Sequence, residues 1–341
     1  MKRREFLATA TEAVGSFSEE GERTEVVQDP QASPRLTVSS VGGRKLLRTT
    51  TGLEPYSGPW NTKTAAHLLR RTIFGPKRSE IFSTASGSLS DTLTSLFAAQ
   101  PTPDPPIGPS GQTWVNSPYD SANEGLYASY LKAWWVGLMV NQGISLREKM
   151  VLFWHNHFVT EYVDVQDSRF LYRQLALFRQ YALGNIKELV KAVTIDPAML
   201  RYLNSNTNIV GKPNENYARE LLELFTIGKG PELAQGNYTN YTEQDVQAAA
   251  KVLTGFSDVG YRNTQNATIG YAFDPRRHDT SNKQFSSAYS NKVIPGKTGP
   301  DGAKELDDLV EMIFAQPETA KFLCRKLYRW FVYYDIDANA E

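Results

Sequence analysis

The sequence contains four histidines, His67, His155, His157 and His278, and two share the run Phe153-Trp154-His155-Asn156-His157-Phe158. Across residues 150–158 apolar side chains occupy every side of a helical wheel, which marks a buried helix. A buried imidazole needs a partner for each ring nitrogen, or its burial is costly. On a regular helix His155 and His157 point about 200° apart and cannot hold one metal ion together. Were the helix to end at His155 and the chain to run extended, a period of two would place both rings on one face, where chelation becomes possible. Glu148 lies seven residues before His155, on the same helical face, close enough to steady a bound imidazole or to pair with a cation. The alternative chemistry is none: two core histidines, each bonded to a carbonyl or a carboxylate.

A second constellation is Asn214-Glu215-Asn216-Tyr217-Ala218-Arg219-Glu220-Leu221-Leu222-Glu223-Leu224-Phe225. Helical spacing groups Tyr217, Leu221, Leu224 and Phe225 on one apolar face, with Asn216, Glu220 and Glu223 in a stripe beside it. Glu220 sits nearest the apolar edge, about 40° from Leu224. A carboxylate there binds metal, pairs with a cation such as Arg219, or has its pKa raised. Acids three residues apart are half of a helical-bundle carboxylate site, although Glu-x-x-His is absent. The plainer reading is a solvated, ion-paired face.

Two basic motifs follow. Arg276-Arg277-His278-Asp279, with Lys283 close behind, falls in an irregular segment and could meet an anion or a metal. His67-Leu68-Leu69-Arg70-Arg71 falls on a helix, where arginine pairs usually make surface ion pairs. The single cysteine, Cys324, stands among Phe322, Leu323 and Leu327 and is expected in the core; alone it excludes an internal disulfide and a cysteine-based zinc site. No glycine-rich phosphate loop and no Gly-x-Ser-x-Gly elbow is present.

The elements that must position these groups are mostly helices. Helical spacing covers residues 64–72, 89–99, 121–142, 145–158, 167–181, 185–194, 196–203, 214–226, 242–254, 301–315 and 317–334. Capping signals open several: Ser145 through Glu148 as a capping box, Asp167, Asn185, Asp196-Pro197 and Thr242. Residues 101–118 contain six prolines and can be neither helix nor central strand. Residues 256–299 are polar and rich in Tyr and Asn, and predict an irregular insertion or a small β-hairpin. The expected fold is all-α, a bundle-like globular domain over residues 59–341 with that one insertion.

The first 58 residues read differently. Lys2-Arg3-Arg4-Glu5-Phe6-Leu7 resembles a twin-arginine export signal, although the following apolar stretch is weak and interrupted by Glu12. Residues 18–58 predict a disordered lead-in. The expectation is export to the periplasm or cell surface, with the cytoplasm as the alternative. Lys and Arg number 37 and so do Asp and Glu. This balance argues against a general binder of nucleic acid or membrane surfaces. No run of about 18 apolar residues predicts a transmembrane helix.

Taken together, the blocks His67 through Gly75, Arg147 through Phe158, Pro213 through Phe225, Tyr241 through Val246, His278-Asp279 and Phe322 through Tyr334 resemble the bacterial domain-of-unknown-function 1800 family. The resemblance implies an exported, mostly helical protein. Its gene would neighbour that of a second exported protein resembling sulfatases or phosphatases, a possible partner. It also implies more helices beyond Glu341, so the chain is expected to be C-terminally truncated. It carries no reaction.

Two functions follow. In the first, His155, His157, His278 and Glu220 hold a divalent transition metal, for which imidazole and carboxylate suit Zn, Mn, Fe or Cu. Glu215, Glu220, Glu223 and Asp279 would supply acid–base groups, and the chain would be a hydrolase or oxidoreductase. In the second, the chain is a non-catalytic scaffold or partner of another exported protein, and the same motifs are core polar networks that fix helix packing.

Overall fold

The computed structural model describes residues 53–336 and 340–341. The twin-arginine-like segment and nearly all of the lead-in lie outside the described residues.

Three short helices come first: α1 (Thr62–Thr72), α2 (Arg78–Ser86) and α3 (Leu89–Phe97). Asn61 opens α1 by accepting from the Lys63 and Thr64 N–H groups, and Ser88 opens α3 through Asp91 N–H. Leu69, Ile73 and Leu96 bury a small apolar cluster between them. The proline-rich stretch then runs without helix or strand and is tied down from several sides. Arg147 donates to Pro101 O, Trp134 to Asp104 O, and Trp114 Nε1 to Ser168 Oγ.

The central helices are α4 (Glu124–Asn141), α5 (Arg147–His157), the single turn α6 (Tyr162–Val165), α7 (Ser168–Gln180), α8 (Ile186–Thr194) and α9 (Pro197–Tyr202). Asp167, Asn185 and Asp196 cap α7, α8 and α9 through their side chains. The Ser145 box does not form. Ser145 Oγ accepts from Arg147 N–H, but Glu148 turns inward to Arg179 at 2.7 and 2.8 Å. A buried bidentate ion pair holds that carboxylate better than a backbone N–H would.

Next comes α10 (Asn216–Glu220), which runs straight into a π-helical turn, Leu221–Phe225. A small ribbon of β1 (Glu232–Ala234) and β2 (Asn237–Tyr238) leads to α11 (Glu243–Val252). Here the expected reciprocal cap is present: Asp245 accepts from Thr242 N–H at 2.8 Å. The insertion holds two ribbons. One pairs β3 (Phe256–Val259) with β4 (Gly270–Phe273), Phe256 opposite Phe273. The other pairs β5 (Lys283–Gln284) with β6 (Val293–Ile294). Helices α12 (Glu305–Phe314) and α13 (Pro317–Phe331) close the chain.

The architecture is therefore mostly helical, with three small antiparallel ribbons among the described residues rather than a pure bundle. The first ribbon falls outside the expected insertion; its strands are too short to show alternation, and Gly236 turns it at φ +75°. Cys324 is exposed, not buried as expected. Leu323 and Thr319, one helical turn apart, face inward from α13, and the next residue along is carried off that face. The main core joins α4, α5, α7, α8, α10, α11 and α12 through residues such as Phe158, Phe178, Val193, Tyr217, Val246 and Leu309. No helix among the described residues is long and apolar enough to cross a membrane.

Candidate functional site

Helix α5 continues through His157. The two histidines of the run therefore leave it on different sides. His155 sits between aromatic rings, 5.0 Å from Trp135 and 6.3 Å from Phe178 between centroids. Burial pushes its pKa down to about 4, so the ring is neutral at ordinary pH.

His157 is buried and bridges three elements. Nε2 lies 2.9 Å from the Phe225 carbonyl, and Nδ1 lies 3.0 Å from the Lys326 ammonium. A carbonyl only accepts and an ammonium only donates. The ring is therefore neutral, with its proton on Nε2. Lys326 also donates to Leu224 O at 2.7 Å.

These contacts explain the π turn. A helix end leaves several carbonyls without partners. Here Thr226 Oγ1 donates to Leu221 O and Gly228 N–H to Leu222 O, while Lys326 and His157 serve Leu224 and Phe225. The end of α10 is thus tied to α5 and α13. Gly228 makes the exit at φ +74°, where a Cβ would stand 2.6 Å from the Phe322 ring.

His278 is also buried, at 3% exposure. Its Nδ1 lies 2.9 Å from Thr254 O and its Nε2 3.1 Å from Glu305 Oε1. The carbonyl and the carboxylate only accept, and the Thr254 hydroxyl, 3.2 Å from Nδ1, gives its proton to Lys251 O, so a ring N–H meets each of them. Glu305 opens α12. Its Oε1 also accepts from Lys297 N–H, and its Oε2 stands 2.6 Å from Lys283 Nζ, an ion pair without hydrogen-bond alignment. Burial raises the Glu305 pKa, but the His278 and Lys283 contacts outweigh it and hold the carboxyl below its usual range. Lys283 donates to Asp279 O as well. Asp279 turns its carboxylate to Ser281, accepting from N–H at 2.8 Å and from the hydroxyl at 2.5 Å. The Asp279 pKa is lowered: burial opposes the shift, and the Ser281 bonds and the nearby Lys283 outweigh it.

Gly302 allows this cluster to close: a Cβ there would stand 2.6 Å from His278 Cδ2. Gly302→Ala is expected to lower stability by about 1–3 kcal/mol, the range for overpacking. Thermal denaturation checks this, and an unchanged melting temperature would contradict it.

The acidic stripe of α10 is ion-paired. Arg219 reaches Glu243 at 2.5 and 2.7 Å and Glu215 at 3.0 Å. The Glu243 carboxylate is the main reason its pKa lies above the usual arginine value. Glu223 accepts from the Tyr241 hydroxyl at 3.2 Å and pairs with Lys229 at 2.8 Å. Glu220 is half-buried at the last residue of α10. A cleft of about 490 Å³ opens beside this region, with Lys229, Asn240, Phe322 and Arg325 in its walls. Its cations face acids: Lys229 faces Glu223, and Arg325 faces Glu318.

The structure thus joins His157 to Lys326 and His278 to Glu305, and gathers Glu215, Arg219 and Glu243. Among the described residues, no three His, Cys, Asp or Glu side chains are grouped so as to hold a metal ion. Arg276 pairs with its neighbour Asp274 and is exposed, while Arg277 donates to Asn206 O. His67 is exposed on α1. Sequence reasoning missed Arg179, Glu305 and Lys326. Each is a charged residue in a run that otherwise reads as an ordinary helix, and only a residue distant in sequence completes it.

Two carboxyls elsewhere respond to pH. Glu124 accepts from Ser168 N–H at 2.6 Å and from Ser168 Oγ at 3.0 Å. Burial nonetheless raises its pKa to about 7, and that of Asp196 likewise to about 7. Both bind a proton more tightly folded than unfolded. Their contribution is full below the unfolded carboxylate pKa and is lost as pH rises toward 7. His155 acts oppositely: its folded pKa is lowered, so its contribution is lost as pH falls from 6.5 to 4. The two carboxyls outnumber it, so the melting temperature is expected to fall between about pH 5 and 7.5, and less so in Glu124→Gln. An equal fall in that variant would contradict the assignment.

Neither a curated protein nor a solved structure matches the chain. A family described as protein of unknown function, DUF1800, matches residues 67–340. That stretch contains every motif discussed above except the N-terminal segment, and the chain belongs to this family.

Proposed function

We propose that this chain is a non-catalytic helical scaffold, exported through its N-terminal segment, whose conspicuous polar motifs are internal clasps. The observation that carries this reading is the commitment of the two buried histidines. Both nitrogens of His157 and both of His278 are spent on protein partners. The acids follow the same rule: Glu148 with Arg179, Glu223 with Lys229, and Glu305 with Lys283. A buried polar network satisfied in this way fixes helix packing. A surface suited to a partner is the apolar α4, where Leu126, Tyr130, Val136 and Val140 are exposed. The neighbouring sulfatase- or phosphatase-like protein is the partner this reading favours.

A metal-dependent or acid–base enzyme is the second reading. His155 favours it: its ring is neutral and, among the described residues, makes no hydrogen bond. Elemental analysis of the purified full chain, beside the His155→Ala/His157→Ala variant, separates the two. The scaffold predicts no stoichiometric metal in either protein and a lower melting temperature for the variant. Near-stoichiometric Zn, Mn, Fe or Cu that disappears in the variant would establish the enzyme reading instead.

A further inference from the structure

The buried cations of the clasps each face a carboxylate, a carbonyl or an imidazole. Two half-buried cations near α13 face no carboxylate among the described residues. Lys149, on α5, places its ammonium 4.7 Å from the centre of the Phe74 ring and 5.3 Å from that of Trp330. Its neighbour Glu148 is turned away toward Arg179. Burial, and then the like charge of Arg71, lower the Lys149 pKa. Arg71, on α1, donates only its Nε, to Phe331 O at 2.8 Å. Among the described residues, neither Lys149 nor the rest of the Arg71 guanidinium is given an acid. The same corner holds another unused donor: Trp330 Nε1 is buried without an acceptor. A buried donor left unpaired is costly, and so are two like charges brought together away from water.

Three helices therefore bring donors and positive charge to one corner, with no carboxylate there among the described residues. An oxyanion supplies what is missing: negative charge for both cations, and several oxygens for an ammonium, a guanidinium fork and an indole N–H. We propose that the junction of α1, α5 and α13 binds a tetrahedral oxyanion, the sulfate or phosphate group of a ligand. This goes beyond the scaffold reading and does not depend on it, because none of the clasp residues takes part.

The test is a titration of the full chain with inorganic sulfate, inorganic phosphate, phenyl sulfate and phenyl phosphate. Ionic strength is held constant with sodium chloride, and tryptophan fluorescence and melting temperature are followed. Saturable binding by at least one of the four is expected, weakened about tenfold or more in Lys149→Gln and in Arg71→Gln, one charged hydrogen bond being worth about that much. Lys149→Arg retains the charge and should retain binding, as should Lys63→Gln on the exposed side of α1. Tighter binding of an ester would identify the group as part of a larger ligand; tighter binding of an inorganic ion would identify a free anion. No saturable change beyond that given by chloride would overturn the proposal. So would unaltered affinity in both Gln variants, with their fold verified by circular dichroism.

Discussion

Glu305→Ala is expected to cost about 3–5 kcal/mol, a large share of a typical folding stability. Glu305 is fully buried and is the carboxylate shared by Lys283, itself fully buried, and His278. Removing it leaves two positive charges facing each other in a dry interior, and Lys297 N–H loses its acceptor. The cost lies in the stranded partners more than in the lost contact. A second substitution therefore distinguishes this account from a packing defect. Lys283→Met in the Glu305→Ala background removes one stranded charge and should recover a large part of the loss. Urea denaturation of the two single variants and the double variant gives the coupling. Strict additivity would show that Glu305 and Lys283 do not act as a pair.

Arg179→Ala should have a comparable effect, about 3–5 kcal/mol, through the carboxylate it abandons. Glu148 is almost completely buried on α5, and Arg179 holds both of its oxygens from α7. Arg147 lies 3.5 Å away, too distant to replace that grip. Arg179 also stacks over Trp134, 5.1 Å from the ring centre, so its loss loosens α4. Replacing the pair together, as Glu148→Met with Arg179→Met, should be far milder than either single change. Apolar side chains of similar volume leave no charge unsatisfied. A double variant as unstable as the singles would contradict this reading, and urea midpoints decide it.

Both effects arise where sequence and structure part company. Helices were legible because their signals are local. Asp167, Asn185, Asp196 and Thr242 are short polar side chains just ahead of apolar periodicity, and each caps the helix it precedes. The burial of most of the His157 run was legible for the same reason, since apolar residues lie on nearly every side of its helical wheel, although Asn156 is exposed. Partners were not legible. Lys326 reaches His157 across 169 positions and Arg179 reaches Glu148 across 31, and no local pattern encodes either distance. Ser145 shows how a correct local rule loses: the box it begins is dissolved because Glu148 has a stronger partner. The π turn was equally hidden, because its cause is the pair of external donors that serve Leu224 O and Phe225 O. Cys324 was placed by its apolar neighbours, but helix geometry sets those neighbours on a different face.

The central claim is that the motif histidines are spent holding helices together. The most direct test is the protonation state of each ring nitrogen, measured by long-range proton–nitrogen correlation spectroscopy on the chain labelled at histidine with nitrogen-15. His157 should appear neutral with its proton on Nε2, and His278 protonated on both nitrogens. A His157 with its proton on Nδ1, or a His278 lacking the proton on either nitrogen, would contradict the account, since its ring could not then make the contacts that join the helices.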